Sequence, residues 1–273
     1  MELNYKEFGT GEPVVILHGL FGTLDNWQTI AKQLAKEYTV FILDLPNHGR
    51  SPHTEGEIDY EMMADALAQF MIDHWIYEAR LVGHSMGGKL AMQFALSHPD
   101  IVKKLVVIDI APKQYKEGHQ DVFDALFSID LNALNDRKEA EAVLMNMLEG
   151  DVGTVQFLLK NLTRNNPFNK EEPQRNTDLS SGTHEGSGFE WKMNLQGLFD
   201  NYENILKAPV GEPFLKPTLF IRGGNSNYIK DSDKHYITEL FPKATLETID
   251  GAGHWVHADK PQALFEAINR FLT

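Results

Sequence analysis

The sequence predicts an α/β fold in which helices cover both faces of a mostly parallel β-sheet. Two observations carry this prediction. Short runs of β-branched and other apolar residues recur along the chain, and between them lie longer segments whose apolar residues recur every three to four positions. Buried strands that alternate with amphipathic helices are typical of a parallel sheet between two helical layers.

The elements follow in order from these patterns. The predicted strands lie at 13–18, 38–44, 79–84, 103–110, 217–223 and 244–250. The predicted helices lie at 25–37, 59–74, 86–97, 232–241 and 259–272. The alternation stops between about 112 and 210, where the sequence looks helical and then becomes polar and rich in glycine and serine at 176–188.

This interruption divides the chain. We predict a core of residues 1–111 and 211–273 and a helical insertion at 112–210. Because ligands of such sheets bind beyond the carboxyl ends of the strands, an insertion that leaves the strand 103–110 is interpreted as a lid over that crevice. The alternative is a helical decoration without contact to the substrate.

Composition limits the classes of function. With 273 residues, of which 42% are hydrophobic, the chain can bury the core of one large domain. A formal net charge of −14 disfavours nucleic acid and anionic membrane surfaces, so we expect a small-molecule substrate. The absence of cysteine excludes disulfides, thiolate metal sites and thiol nucleophiles. No secretory signal or apolar run of ~18 residues is visible, so we expect a cytoplasmic monomer or weak dimer without integral membrane association.

A Gly-His-Ser-Met-Gly segment from Gly83 to Gly87 lies between a predicted strand and a predicted helix. In this context a GxSxG turn exposes its serine at the top of the sheet, and the two glycines avoid side-chain clashes. Ser85 is therefore the predicted nucleophile. The alternative is a glycine-rich turn that binds a phosphate at the helix N-terminus, but neither the P-loop nor the dinucleotide-binding glycine pattern is present.

Two backbone N–H groups are predicted to form an oxyanion hole. One belongs to Met86, directly after the nucleophile, and the other to Leu20, in the His-Gly-Leu-Phe-Gly segment that follows the strand 13–18. Phe21 is the second choice for the latter donor. An ordinary glycine turn is the alternative interpretation of this segment.

His254 is the predicted general base, because it lies in a glycine-rich loop after the last predicted strand. An imidazole with a pKa near ~6.5 can accept the serine proton and later return it. His257 could instead be the base or could pair with His254 as a metal ligand. Since no HExxH motif or carboxylate cluster accompanies the pair, we predict neither a metal nor another cofactor.

The acid should lie between the serine and the histidine in the chain, at the end of a strand. Two places qualify. After the strand 217–223, the expected carboxylate position is occupied by Ser226. Asp109 is the better candidate, because it leaves the strand next to the nucleophile strand, although a structural capping role is the alternative. Ser226 would then support His254 by a hydrogen bond.

Several segments together resemble a known family. They are HGLFGTLDNW (18–27), NHGRSP (47–52), GHSMGG (83–88), IDIAP (108–112), GGNS (223–226) and GAGHWVHADKP (251–261). Over nearly the whole chain, the sequence resembles the small bacterial YbfF-type esterases of the α/β-hydrolase superfamily. The resemblance implies an α/β-hydrolase fold with a lid and hydrolysis of acyl esters, including acyl-CoA thioesters, by Ser85, His254 and Asp109, with Ser226 assisting. One departure is Pro46, where the family commonly has arginine.

The expected activity is that of a carboxylesterase or thioesterase that forms an acyl-enzyme. Four aromatic residues are candidates to line an apolar acyl pocket, although such residues are as often plain core; they are Phe21, Trp191, Phe199 and Trp255. The same scaffold could instead serve a lyase or a carbon–carbon bond hydrolase, or a ligand-binding relative with incidental turnover.

Overall fold

A seven-stranded sheet forms the framework of the protein. The computed structural model describes residues 1–164 and 188–273. In these ranges the strands are β1 (Tyr5–Phe8), β2 (Glu12–Leu17), β3 (Tyr38–Leu43), β4 (Ala79–His84), β5 (Val102–Ile108), β6 (Leu162–Arg164), β7 (Phe189–Trp191), β8 (Thr218–Gly223) and β9 (Ala244–Ile249). The α-helices are α1 (Gln28–Leu34), α2 (Tyr60–Asp73), α3 (Met86–Ser97), α4 (Gln120–Phe127), α5 (Arg137–Met147), α6 (Val152–Leu159), α7 (Leu195–Asp200), α8 (Tyr202–Leu206), α9 (Lys234–Leu240), α10 (Val256–Asp259) and α11 (Pro261–Leu272).

The strand order is β1-β3-β2-β4-β5-β8-β9, and every neighbouring pair is parallel except β1 with β3. The predicted fold class is therefore confirmed. The six predicted strands correspond to β2, β3, β4, β5, β8 and β9, with ends that differ by at most two residues. Because β4 lies between β2 and β5, the loops that follow these three strands meet at the carboxyl edge of the sheet.

The inner strands of the sheet are buried on both faces, which explains why they are largely apolar. On one face, alternate residues such as Val14, Ile16 and Val82 pack with residues of α1 and α11. On the other face, α3 packs against β4 and β5 and α2 packs against α3. The sheet is thus rigidly held at the strands whose ends carry the predicted catalytic residues.

The sequence patterns miss β1. Its four residues are mostly exposed, and it pairs antiparallel with β3 at the edge of the sheet. An edge strand with little buried surface lacks the apolar run by which the other strands are recognised. Its position relies on pairing with β3 rather than on its own pattern.

Residues 118–195 form a compact unit of their own, separate from the unit of residues 1–117 and 196–273. Its described elements are α4, α5, α6 and the antiparallel pair of β6 and β7. It lies within the predicted insertion 112–210, and its role as a lid stays a prediction. Residues 176–187 of the predicted polar stretch lie outside the described residues. In the described part of the chain, no helix is both long and apolar enough to cross a membrane.

Candidate active site

Ser85 lies on a tight turn between β4 and α3. Its backbone has φ 52° and ψ −119°, a conformation that a non-glycine residue adopts only when its surroundings impose it. The backbone packs so closely here that a Cβ atom at Gly83 would overlap the carbonyl oxygen of Gly87, and one at Gly87 would overlap that of His18. Two glycines thus permit a strained turn that the sequence predicts from its GxSxG pattern.

His254 links Ser85 to Asp109. Its Nε2 lies 3.0 Å from Ser85 Oγ, and its Nδ1 lies 2.7 Å from Asp109 Oδ2. Because an ionised carboxylate only accepts hydrogen bonds, it keeps the imidazole proton on Nδ1 and leaves Nε2 to accept from the serine hydroxyl. The three side chains follow β4, β9 and β5, and the structure brings them together in one hydrogen-bonded chain. His257 is instead stacked on Trp27, with ring centroids 4.9 Å apart.

Asp109 is fully buried, and three donors satisfy its carboxylate. The N–H of Gly223 donates to Oδ1 at 3.0 Å, whereas Oδ2 accepts from His254 and from the hydroxyl of Ser226. The sequence predicts that Ser226 supports His254 directly, but its hydroxyl donates to the carboxylate instead. The physical reason is that Nδ1 of His254 already donates to Asp109 and offers no lone pair, while the carboxylate is the stronger acceptor.

The predicted oxyanion loop, residues 18–22, packs against the nucleophile, since a Cβ atom at Gly19 would lie 3.2 Å from Ser85 Cβ. A hydrogen bond of 2.9 Å from Gly22 N to Gly19 O closes a turn around Leu20 and Phe21. The N–H of Phe21 is already engaged, because it donates to a histidine side chain at 3.3 Å. The N–H of Leu20 has no partner among the described residues. Of the two choices for this donor, the geometry therefore favours Leu20.

Met86 is the first residue of α3. The N–H of a first helical residue has no acceptor within its own helix. This N–H and that of Leu20 flank the serine from α3 and from the loop after β2, and both stay predictions as oxyanion donors.

Two buried histidines hold the oxyanion loop. His18 Nδ1 donates to Gly19 O at 2.8 Å, and His48 Nε2 accepts the N–H of Phe21. Burial lowers the pKa of His18 from 6.5 to about 4 and that of His48 from 6.5 to about 3. Both rings are therefore neutral at neutral pH, which leaves each with one nitrogen able to accept a hydrogen bond.

Two further contacts on His254 were not predicted from the sequence. His84 Nε2 donates to the carbonyl oxygen of His254 at 2.9 Å, and burial holds the pKa of His84 well below its usual range. The ring of Tyr228 stacks on the imidazole, with centroids 3.7 Å apart and planes 15° apart. Tyr228 lies in the same loop as Ser226, so its place beside the predicted acid position is the one signal in the sequence that could have indicated it.

The four predicted acyl-pocket residues lie in different surroundings. Phe21 is buried in the oxyanion loop, Trp255 is half-buried directly after His254, and Phe199 is partly exposed on α7. Trp191 is half-buried on β7, within the unit of residues 118–195. Their contact with an acyl group stays a prediction. In the described ranges, no group of three or more histidine, cysteine or acidic residues could hold a metal ion.

Comparison with known proteins places the chain in a family. Residues 12–261 match the model of the alpha/beta hydrolase fold. The chain is 35% identical over 264 residues to esterase YbfF of Escherichia coli, which covers 95% of this chain and 92% of that protein. It is 37% identical over 268 residues to the sn-1-specific diacylglycerol lipase ABHD11 of Mus musculus, with 95% of this chain and 80% of that protein covered.

A solved structure extends the comparison to three dimensions. A marine microorganism esterase, 39% identical, superposes with a TM-score of 0.89 over 99% of each chain. The family match and these identities each span most of the sequence. The chain therefore belongs to the α/β-hydrolase family and is a relative of the small bacterial esterases of the YbfF type.

Proposed function

We propose that this protein is a serine hydrolase of carboxylic esters. The observation that carries the proposal is the hydrogen-bonded chain from Ser85 through His254 to Asp109, because a serine hydroxyl 3.0 Å from an acceptor imidazole nitrogen is ready to be deprotonated. The names of the relatives, an esterase and a diacylglycerol lipase, support an ester as the bond that is cleaved.

In the proposed mechanism, Ser85 Oγ attacks the acyl carbon while His254 Nε2 takes the hydroxyl proton. The N–H groups of Leu20 and Met86 stabilise the oxyanion. The imidazolium returns the proton to the departing alcohol, and an acyl-enzyme on Ser85 remains. His254 then deprotonates a water molecule that attacks this ester; as the bond to Ser85 Oγ breaks, the imidazolium returns the proton to Ser85 Oγ and the acid is released. Asp109 stays ionised throughout and stabilises the imidazolium.

The substrate class is proposed to extend to acyl-CoA thioesters, because the same attack on a carbonyl carbon cleaves them. The insertion is proposed to act as a lid. Trp191, Phe199, Trp255 and Phe21 are proposed to contact the acyl group, since aromatic side chains supply the apolar surface that an acyl chain needs.

The test is steady-state hydrolysis of p-nitrophenyl esters and acyl-CoA thioesters of graded chain length. The wild type should hydrolyse at least one series, and Ser85→Ala and Asp109→Asn should each lower kcat by about 10⁴-fold or more. Ser232→Ala is the matched control, because Ser232 is exposed on the surface and should leave the rates unchanged.

Either of two results would overturn the proposal. One is a wild-type protein that hydrolyses neither series at a rate above that of Ser85→Ala. The other is a Ser85→Ala variant that keeps the full rate, which would show that the observed turnover does not use this serine.

A further inference from the structure

We propose that Tyr228 is a positioning residue for His254, and that its phenol ring keeps the imidazole in the plane in which it reaches both Ser85 and Asp109. The inference rests on the proposed function. Tyr228 contacts the base His254 and not the substrate. The effect of substituting Tyr228 can therefore be measured separately from that of substituting Ser85.

The phenol ring of Tyr228 stacks on the imidazole of His254. The rings of Tyr228 and His254 are nearly parallel, at 15°, with centroids 3.7 Å apart, so the phenol covers one face of the imidazole at van der Waals contact. The two ring nitrogens of His254 are held at their edges by hydrogen bonds of 2.7 and 3.0 Å. Edge contacts alone permit the ring to tilt out of this plane, whereas a contact on its face opposes that tilt.

The backbone of Tyr228 is itself anchored by hydrogen bonds. The hydroxyl of Tyr115 donates to the carbonyl oxygen of Tyr228 at 2.6 Å and accepts from the N–H of Ala111 at 2.9 Å. The N–H of Tyr228 donates to Ser226 Oγ at 3.2 Å, and that hydroxyl donates to Asp109. The backbone of Tyr228 is therefore tied on both sides to the loop that carries the acid.

A buried ion pair ties the same two loops a second time. Lys113 Nζ lies 2.7 Å from Asp233 Oδ2, and both side chains are largely buried. The N–H of Lys230 also donates to Asp233 at 2.9 Å. These contacts fix the backbone from which the Tyr228 ring projects, so the ring that faces the base and the acid are placed by the same framework.

The stack also suits the charge that develops on His254. When the imidazole takes the serine proton it becomes a cation, and an aromatic face attracts a cation that lies against it. The phenol of Tyr228 therefore stabilises the imidazolium of His254. It does so in the orientation in which the imidazole reaches both Ser85 and Asp109. Because this contribution appears during turnover, loss of the ring should lower kcat and leave KM nearly unchanged.

The experiment compares two substitutions at one position. Tyr228→Phe keeps the stacked ring and should retain kcat, whereas Tyr228→Leu removes the ring and should lower kcat by about 10- to 100-fold, as expected for a misplaced catalytic group. Tyr236→Leu is the matched control, because Tyr236 lies 3.8 Å from the ring of His235 on α9 and its loss should leave kcat unchanged. Melting temperatures identify any variant that fails to fold.

A second measurement does not depend on turnover. The Cε1–H resonance of His254, assigned with His254→Gln, should show the upfield ring-current shift of a stacked proton in wild type and in Tyr228→Phe, and should lose it in Tyr228→Leu. The proposal is overturned if this resonance is unshifted in the wild type, or if folded Tyr228→Leu keeps its kcat. If the resonance is shifted but the wild type hydrolyses no ester, the proposed function fails and the stacking geometry stands.

Discussion

Asp109 illustrates how much a single position depends on its surroundings. Its backbone has φ 51°, its side chain is fully buried, and its carboxylate receives hydrogen bonds from Gly223, Ser226 and His254. An isolated buried carboxylate would be strongly unfavourable, so these donors are a condition for an ionised group at this place. The loop after β8 therefore does not supply the acid. It supplies a hydrogen-bond donor to the carboxylate of Asp109 instead.

We predict different consequences for the two sides of this contact. Asp109→Asn puts an amide beside His254 Nδ1 and favours the wrong tautomer, so kcat should fall by about 10⁴-fold. Ser226→Ala removes one of three donors and should lower kcat by about 3- to 30-fold, since a hydrogen bond to a charged group contributes ~1.5–3 kcal/mol at most. Rates with one p-nitrophenyl ester distinguish the two, and equal losses would contradict this division of roles.

A second prediction concerns the oxyanion loop. His48→Ala leaves the Phe21 N–H without its acceptor and loosens the turn that presents Leu20, so kcat should fall about tenfold, less than the loss of a whole oxyanion donor. His53→Ala, at an exposed position in the loop after β3 that also carries His48, is the control and should keep its rate. An unchanged kcat in His48→Ala would mean that the turn holds without this contact.

At the residue scale, the sequence predicts residue types and chain order but not partners. Ser85, His254 and Asp109 are found because each follows a strand and carries a type of side chain that serine chemistry requires. The partner of Ser226 and the stacking of Tyr228 depend on distances between loops that are 117 and 26 positions apart in the chain, and no local pattern encodes such distances.

At the scale of elements, the turn from β4 into α3 is the feature that most constrains the site. α3 is buried along nearly its whole length, and its second residue, Gly87, passes directly beside the end of β2. The close approach sets the position of Ser85 and of the Met86 N–H together. Glycine is needed because any Cβ atom would press on backbone rather than on a flexible side chain.

Gly87→Ala should therefore both destabilise and inactivate the protein. The added methyl group would overlap the carbonyl oxygens of Leu17 and His18, and we expect a loss of about 1–3 kcal/mol in the free energy of unfolding, with a lower kcat in the remaining folded protein. Urea unfolding and ester hydrolysis measure the two effects. Gly188→Ala, where the nearest atom lies 3.6 Å from the new Cβ, should change neither the free energy of unfolding nor kcat. Equal stability and equal kcat in the two variants would contradict the close approach of Gly87 to the end of β2.

The sequence is most informative for elements that are buried. The predicted strands and helices appear close to their predicted bounds, and for β2, β3, β4, β5 and β8 burial on both faces imposes the apolar composition. β1 is missed for the opposite reason, since its exposed residues carry no such constraint. β9, at one edge of the sheet, is recognised although most of its residues are only partly buried or exposed. The predicted helix 232–241 begins two residues later as α9, after a short 3₁₀ turn at Asp231–Asp233.

At the scale of the whole molecule, buried neutral histidines make stability depend on pH. The pKa of His18 is lowered to about 4 and that of His48 to about 3, whereas in the unfolded chain both stay near 6.5. Below pH 6.5 the unfolded chain therefore binds protons that the folded protein does not. The stability that these groups support is complete above pH 6.5 and is lost as the pH falls towards 4.

We predict that the free energy of unfolding decreases between pH 6.5 and 4.5 by up to ~1.4 kcal/mol per pH unit for each of these histidines. Urea titrations across this range measure the slope. In His48→Gln the slope should be smaller by the contribution of one histidine, ~1.4 kcal/mol per pH unit at most. His53→Gln, an exposed control, should retain the wild-type slope. A slope that is the same in all three proteins would show that His48 does not resist protonation.

Labelling with diethyl p-nitrophenyl phosphate, followed by mass spectrometry, tests the central claim most directly. This phosphate ester reacts with a serine that a neighbouring histidine activates, and the product does not turn over. The wild type should gain one diethylphosphoryl group, mapped to the peptide of Ser85, and should lose its ester hydrolysis in proportion, while Ser85→Ala stays unlabelled. Labelling at another residue, or full hydrolysis by a protein labelled at Ser85, would contradict the account.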